Sequence, residues 1–301
     1  MILVKKLLWT VPLTVLSLVL AGCGTSPSAG SAPVHAVGEL YPLSWVIGQV
    51  GGDRVAVDTL VPAGAEPHGY ELSPQEVTTI GRSDLVVYVR TLAAAVDDGV
   101  TAAPPKASID VANLITTRPA VDGTSGQATP GGIDPHVWLD PANLVKLADA
   151  VAARLATLDP AGQDTYTANA ATLDARLEKL DNDYRSGLAH CTTTTLVVTH
   201  PAFGYLADQY GLTQVGVSGV DEDTEPSPAR IVEVEKIAAA AKVPAIFHAD
   251  TSNAKIADVI ASSLNVRTVE LSVILGAPSG GDYISAAERN LTALRDGLGC
   301  S

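Results

Sequence analysis

From Val34 onward the chain alternates short apolar, β-branched runs with stretches whose apolar positions recur every three or four residues. Strand-like runs occupy residues 34–37, 55–61, 85–89 and 108–111, and helical spacing covers residues near 43–50, 74–82 and 92–100. This βα alternation predicts a sheet flanked by helices. Residues 116–132, rich in Thr, Pro, Gly and Ser, interrupt the pattern and read as a mobile loop, either a lid or a plain surface insertion. After residue 190 the alternation resumes, with strands at 195–199, 213–217, 245–248 and 267–271 and helices near 205–210, 228–241, 254–264 and 282–298. The second half therefore repeats the plan of the first.

Between the halves lie two helix-start signals. Asp140-Pro141 places a capping carboxylate before a proline at the first helical position, opening a helix to about residue 158. Asp159-Pro160 repeats that signal, and Tyr166, Ala170, Leu173, Leu177, Leu180, Tyr184 and Leu188 then form one apolar stripe. A helix over 160–189 follows, about 45 Å long at 1.5 Å per residue. The expected fold class is α/β, with two similar lobes at 34–159 and 190–301, the long helix joining them, and a cleft between.

The N-terminus belongs to neither lobe. Lys5 and Lys6 precede an apolar run over residues 7–22, which is shorter than the roughly 20 residues that span a bilayer and contains Pro12. It reads as a secretion signal. Its end, Leu20-Ala-Gly-Cys23, resembles the bacterial lipobox, after which Cys23 becomes the lipidated first residue. Residues 23–33 then form a tether with a reach of about 17 Å. Export leaves Cys191 and Cys300 as an even pair where disulfides persist, and a bond between them is expected. With 19 Lys and Arg against 33 Asp and Glu, the chain lacks the basic surface that nucleic acid requires. Removing residues 1–22 takes away two lysines and no acid, moving the net charge from −14 to −16.

The only Met is Met1, so a metal site in the mature chain draws on imidazole and carboxylate rather than thioether. Three histidines share an unusual setting beside proline: His68 in Ala65-Glu-Pro-His-Gly-Tyr70, His136 in Gly132-Ile-Asp-Pro-His-Val-Trp-Leu-Asp-Pro141, and His200 in Val197-Val-Thr-His-Pro201. Proline fixes φ and restricts its neighbour, so each imidazole has less conformational entropy to lose on binding. His200 lies just past the end of a predicted strand and His68 shortly after another, where ligands of open α/β sheets bind. The spacings match no compact zinc motif, and there is no H-E-x-x-H.

The words around these histidines are more specific. Tyr41-Pro-Leu43, Gly51-Gly-Asp-Arg-Val55, Val61-Pro-Ala-Gly-Ala-Glu-Pro-His-Gly-Tyr-Glu71, Asp134-Pro-His-Val-Trp-Leu-Asp-Pro141, Thr199-His-Pro-Ala-Phe-Gly-Tyr-Leu206, Tyr210-Gly-Leu212 and Glu225-Pro-Ser227 resemble the metal-binding solute-binding lipoproteins of zinc and manganese ABC importers. The resemblance covers residues 35–299. It implies a two-lobed receptor that is not an enzyme, holds a metal in the cleft, and passes it to a membrane permease driven by an ATPase. It also implies an extracytoplasmic, lipid-anchored, monomeric protein with His68, His136 and His200 as ligands.

A histidine at the third ligand position points to Zn²⁺ rather than Mn²⁺, since Mn²⁺ prefers oxygen. The family's fourth ligand, an Asp after the last strand, is Ser272 here, and a family glutamate is replaced by Ala249. Glu270 is the expected substitute, because residues two apart in a strand share a face; water is the alternative. His248 and Asp250 are read as structural, with a role as remodelled ligands the alternative, and His35 and His190 are not ligands. Two other readings stay open. A three-histidine zinc with water is also the form of a hydrolytic site, in which Asp134 would be the nearest acid in sequence. An extracellular adhesin or metal buffer fits the same anchor and fold.

Overall fold

Two four-stranded parallel sheets form the frame of the computed structural model, which describes residues 33–121, 127–219, 226–251 and 254–301. The signal, Cys23 and all of the tether but Pro33 lie outside the described residues, as does Glu225. The first sheet comprises β1 (Val34–Gly38), β2 (Val55–Thr59), β3 (Leu85–Tyr88) and β4 (Ser108–Asp110), in the order β2-β1-β3-β4. Next in the chain come β5 (Pro119–Val121) and β6 (Ala128–Ile133). The second sheet comprises β7 (Thr195–Val198), β8 (Thr213–Gly216), β9 (Ala245–Ala249) and β10 (Arg267–Leu271). Its order, β10-β9-β7-β8, is the first sheet's topology repeated: the first strand pairs with the second on one side and the third on the other. In such sheets the crevice opens where the strand order reverses, at the carboxyl ends of the first and third strands.

The helices follow the predicted pattern closely. On the first sheet's side these are α1 (Tyr41–Gly51), α2 (Pro74–Arg82) and α3 (Ala94–Ala102); α4 (Pro141–Leu158) and α5 (Gln163–Gly187) follow. Asp140 caps α4 by accepting from the Ala142 N–H at 3.0 Å, with Pro141 at the first helical position. The long helix is shorter than expected, because Pro160–Gly162 forms a separate 3-10 turn and α5 begins only at Gln163. Its stripe of Tyr166, Ala170, Leu173, Leu177, Leu180 and Tyr184 is buried in full.

In the second half come α6 (Gly204–Gln209), α7 (Pro228–Ala241), α8 (Lys255–Leu264) and α9 (Tyr283–Leu298). α5 is tied to both halves: Asn169 donates to the Val50 carbonyl in α1 at 3.0 Å, and Tyr184 donates to the Ala287 carbonyl in α9 at 2.6 Å. One core runs through both halves, from Leu43 and Trp138 to Phe247 and Leu294.

The segment expected to be an irregular loop contains β5 and β6, which pair antiparallel as a ribbon, with Pro119 opposite Ile133. Glycine and threonine density hid the strands, whose side chains are largely exposed and so carry no apolar alternation. Cys191 and Cys300 are joined by the expected disulfide, fastening the end of α9 to the chain that enters the second sheet.

Candidate metal site

His200 is delivered by β7: the strand ends at Val198, and the chain turns at Thr199, whose N–H donates to the Phe247 carbonyl at 2.9 Å. The imidazole thus stands at the reversal of strand order in the second sheet. His136 comes from the chain leaving β6, where Asp134 and Pro135 turn into a 3-10 turn over Val137–Leu139. His68 follows β2 through a turn in which the Tyr70 N–H donates to the Pro67 carbonyl at 3.1 Å.

These three loops bring the imidazoles together. The Nε2 atoms of His68 and His136 are 3.3 Å apart, and those of His200 and His136 are 3.0 Å apart. The rings meet edge to face, at interplanar angles of 64°, 78° and 67°. Zn–N bonds of 2.0–2.1 Å at tetrahedral angles require nitrogens about 3.4 Å apart, so the two pairs that meet at His136 need little movement to take the ion. One candidate ligand atom from each of the three lies within 4.8 Å of the others, and among the described residues this is the only group so identified.

Burial sets the protonation. His136 and His200 are 1% and 3% exposed. Burial, then the His68 ring, holds the pKa of His136 well below the usual imidazole value. Burial, then His136 and His68, does the same for His200. Both are neutral at physiological pH, the form that binds metal. The cavity between the three rings, Glu66, Pro67, Thr251, Val273 and Leu275 is only about 10 Å³.

Asp134 fixes the ring of His136. Its Oδ1 is 2.8 Å from Nδ1 and accepts from the His136 N–H at 3.0 Å, which turns Nε2 toward the other histidines. Burial pushes this carboxyl up to about 7 despite that backbone bond and Arg118, whose Nε is 3.9 Å from Oδ2. Tyr205 in α6 donates to the Asp134 carbonyl at 2.8 Å, and the Arg118 N–H donates to the Tyr205 hydroxyl at 3.1 Å. Gly204 makes room for this assembly, since a Cβ there would sit 2.8 Å from Asp134 Oδ2 and 2.7 Å from Arg118 Nε. The glycine in Thr199-His-Pro-Ala-Phe-Gly204 was the available signal. Tyr205 follows it in the same word, and Arg118 had no signal in the sequence.

The remaining acids fall elsewhere. Glu270 on β10 is exposed and lines a larger neighbouring cavity of about 960 Å³, together with Asp250, Ser272 and Arg289. The structure does not bring it into the histidine group. The reason is local. Strand pairing in β10 stops at Leu271, and Asp250 accepts from the Ser272 hydroxyl at 2.5 Å and the Val273 N–H at 2.9 Å. That turn presents Val273 and Leu275 to the histidines and leaves Glu270 and Ser272 together on the larger cavity. Asp250 is thus structural, as expected. His248 lies in β9 with Nδ1 3.3 Å from the Ala249 carbonyl, while His35 and His190 are exposed; none of the three joins the group.

Comparison with known proteins agrees with this arrangement. Residues 37–297 match the family described as zinc-uptake complex component A, periplasmic. The chain is 30% identical to the high-affinity zinc uptake system protein ZnuA of Bacillus subtilis (strain 168), over 93% of this chain and 94% of that protein. It is 31% identical to the zinc-binding lipoprotein AdcA of Streptococcus pneumoniae (strain ATCC BAA-255 / R6), over 93% of this chain and 58% of that longer protein. Among solved structures it is similar to the laminin-binding protein of Streptococcus agalactiae, described as bifunctional with adhesin and metal-transporting activity. That match has a TM-score of 0.78 at 31% identity and covers 88% of this chain and 99% of the other. The chain belongs to the zinc-uptake component A family of solute-binding proteins.

Proposed function

We propose that this protein is the extracytoplasmic receptor of a zinc ABC importer: it captures Zn²⁺ between His68, His136 and His200 and delivers it to a membrane permease driven by an ATPase. The observation that carries the reading is the convergence of three Nε2 atoms, two of them on deeply buried neutral imidazoles. Three nitrogen ligands suit Zn²⁺ and disfavour Mn²⁺. The acidic chain, at −14 in full and −16 without residues 1–22, draws cations toward the site.

A binding role is favoured over hydrolysis by the placement of the nearest acid in sequence: Asp134 is turned to the back of His136 rather than toward the space between the rings. Lipidation at Cys23 and action as a monomer are part of the same proposal and rest on the sequence. So do the lobe limits 34–159 and 190–301 with their linking helix.

The test is zinc uptake in cells that lack the gene for this chain. Uptake of radioactive zinc at low external concentration is expected to fall, to return with the native chain, and to stay low with the triple His68→Ala, His136→Ala, His200→Ala variant. Full restoration by the triple variant would contradict the proposal.

A further inference from the structure

Three neutral imidazoles leave a zinc ion its full double charge and one open position in a largely buried site, so the identity of the fourth ligand decides how the ion is held. The acid expected from the sequence, Glu270, lines only the larger cavity. One carboxylate lines both cavities. Glu66 borders the large acidic cavity and the small histidine pocket, and its Oε1 is 4.0 Å from His68 Nε2, the nitrogen that faces the other two histidines.

We propose that Glu66 is the fourth zinc ligand, closing the three-histidine site with a carboxylate oxygen on the side of the acidic cavity. This rests on the zinc-binding reading above and adds the residue that completes it.

The geometry of two matching tripeptides supports the assignment. Glu66-Pro67-His68 and Asp134-Pro135-His136 are both acid-proline-histidine, and in both the carboxylate accepts the backbone N–H of the histidine, at 3.0 Å in each case. Asp134 also reaches Nδ1 of its own ring, at 2.8 Å, and so orients the imidazole from behind. Glu66, one methylene longer, lies by Nε2 instead, on the metal face. Coordination asks the carboxylate to swing in from 4.0 Å, because the ligand atoms that lie within 4.8 Å of one another are those of the three histidines alone, and a tetrahedral site spaces its ligands at roughly 3.4 Å.

Exposure fits too. The Glu66 side chain is 33% exposed, so its charge is hydrated while the site is empty, and it can exchange an ion with the cavity that Asp250 and Glu270 make negative. Oxygen is a normal fourth zinc ligand at 2.0–2.2 Å.

The experiment loads the purified full chain with Co²⁺ in place of Zn²⁺, follows the visible absorption spectrum as azide is added, and measures zinc affinity by chelator competition. A site closed by Glu66 leaves no water for azide to displace, so the parent spectrum should not change. Glu66→Gln should become azide-sensitive and lose more zinc affinity than the roughly 10-fold to 100-fold that removing a mere partner of a metal ligand costs. Glu270→Gln should behave as the parent.

The proposal is overturned if the parent responds to azide, if Glu66→Gln keeps parental affinity and azide insensitivity, or if Glu270→Gln is the variant that opens the site. These outcomes leave the three-histidine receptor standing. A parent that binds neither Zn²⁺ nor Co²⁺ removes both readings together.

Discussion

Glu66-Pro67-His68 and Asp134-Pro135-His136 are both acid-proline-histidine, and they bring their imidazole Nε2 atoms to 3.3 Å. His136 is 1% exposed, its ring is held from behind by Asp134, and its Nε2 lies within 3.3 Å of both other histidines. His68 is at the rim with a side chain 12% exposed, and its acid stands at the front. One methylene, the difference between Asp and Glu, therefore separates a carboxylate that orients a ligand from one placed beside the ligand atoms. The buried tripeptide supplies the fixed hub, and the rim tripeptide supplies the half that opens to the acidic cavity.

The largest expected effect comes from breaking the hub. His136→Ala removes the imidazole that neighbours both others and should abolish measurable zinc binding, whereas His68→Ala leaves the His136–His200 pair and should retain weak binding. Calorimetric titration of the two variants checks this, and equal losses would erase the distinction between hub and rim.

Next comes the orienting acid. Asp134→Asn keeps the shape but loses the charged acceptor at Nδ1, and zinc affinity should fall by about 10-fold to 100-fold. The pH dependence follows from the same residue. In the metal-free protein Asp134 titrates at about 7, while His136 and His200 are held neutral well below the usual imidazole value. Zinc beside the pair favours ionised Asp134, so below about pH 7 binding must expel its proton. Affinity should therefore rise with pH from 6 to 8. The slope should flatten in Asp134→Asn; an equally steep slope in that variant would assign the proton to another group.

A smaller loss is expected from Gly204→Ala. Its new methyl would meet Asp134 Oδ2 at 2.8 Å and Arg118 Nε at 2.7 Å, so the orienting acid must shift. Zinc affinity should drop, but less than in Asp134→Asn, while Gly64→Ala in the rim loop tests strain alone, since nothing lies within 4 Å of the added methyl there and φ is +83°. Comparable affinity losses in the two would tie the effect to backbone strain instead of Asp134.

The smallest effect on zinc is expected from Cys191→Ser with Cys300→Ser. The bond closes a separation of 109 residues that spans the second half from end to end, and removing it should lower thermal stability by about 2–5 kcal/mol while leaving affinity unchanged.

The hub was legible in the sequence because every part of it is a local pattern. Proline beside each histidine, strand ends before His200, and Asp140-Pro141 at a helix start are short-range signals, and the fold realises each. The apolar stripe of α5 was equally legible, since period alone specifies a buried helix face. What escaped were features set by contacts between distant segments. Arg118, Tyr205 and Gly204 converge on Asp134 from sites far apart in the chain. Strand parity rightly grouped Glu270 with Ser272, yet both face the larger cavity, because Asp250 bends the chain after β10. The ribbon of β5 and β6 was missed because its exposed strands need no apolar alternation.

The central claim is that one zinc ion sits among three imidazoles and a carboxylate oxygen. X-ray absorption at the zinc edge of the loaded full chain measures that shell directly. The account predicts four nitrogen or oxygen neighbours at about 2.0–2.1 Å, with the outer-ring scattering of three imidazoles. That scattering should fall to two imidazoles in His68→Ala. A shell containing two or fewer imidazoles in the parent, or sulfur at about 2.3 Å, would contradict it.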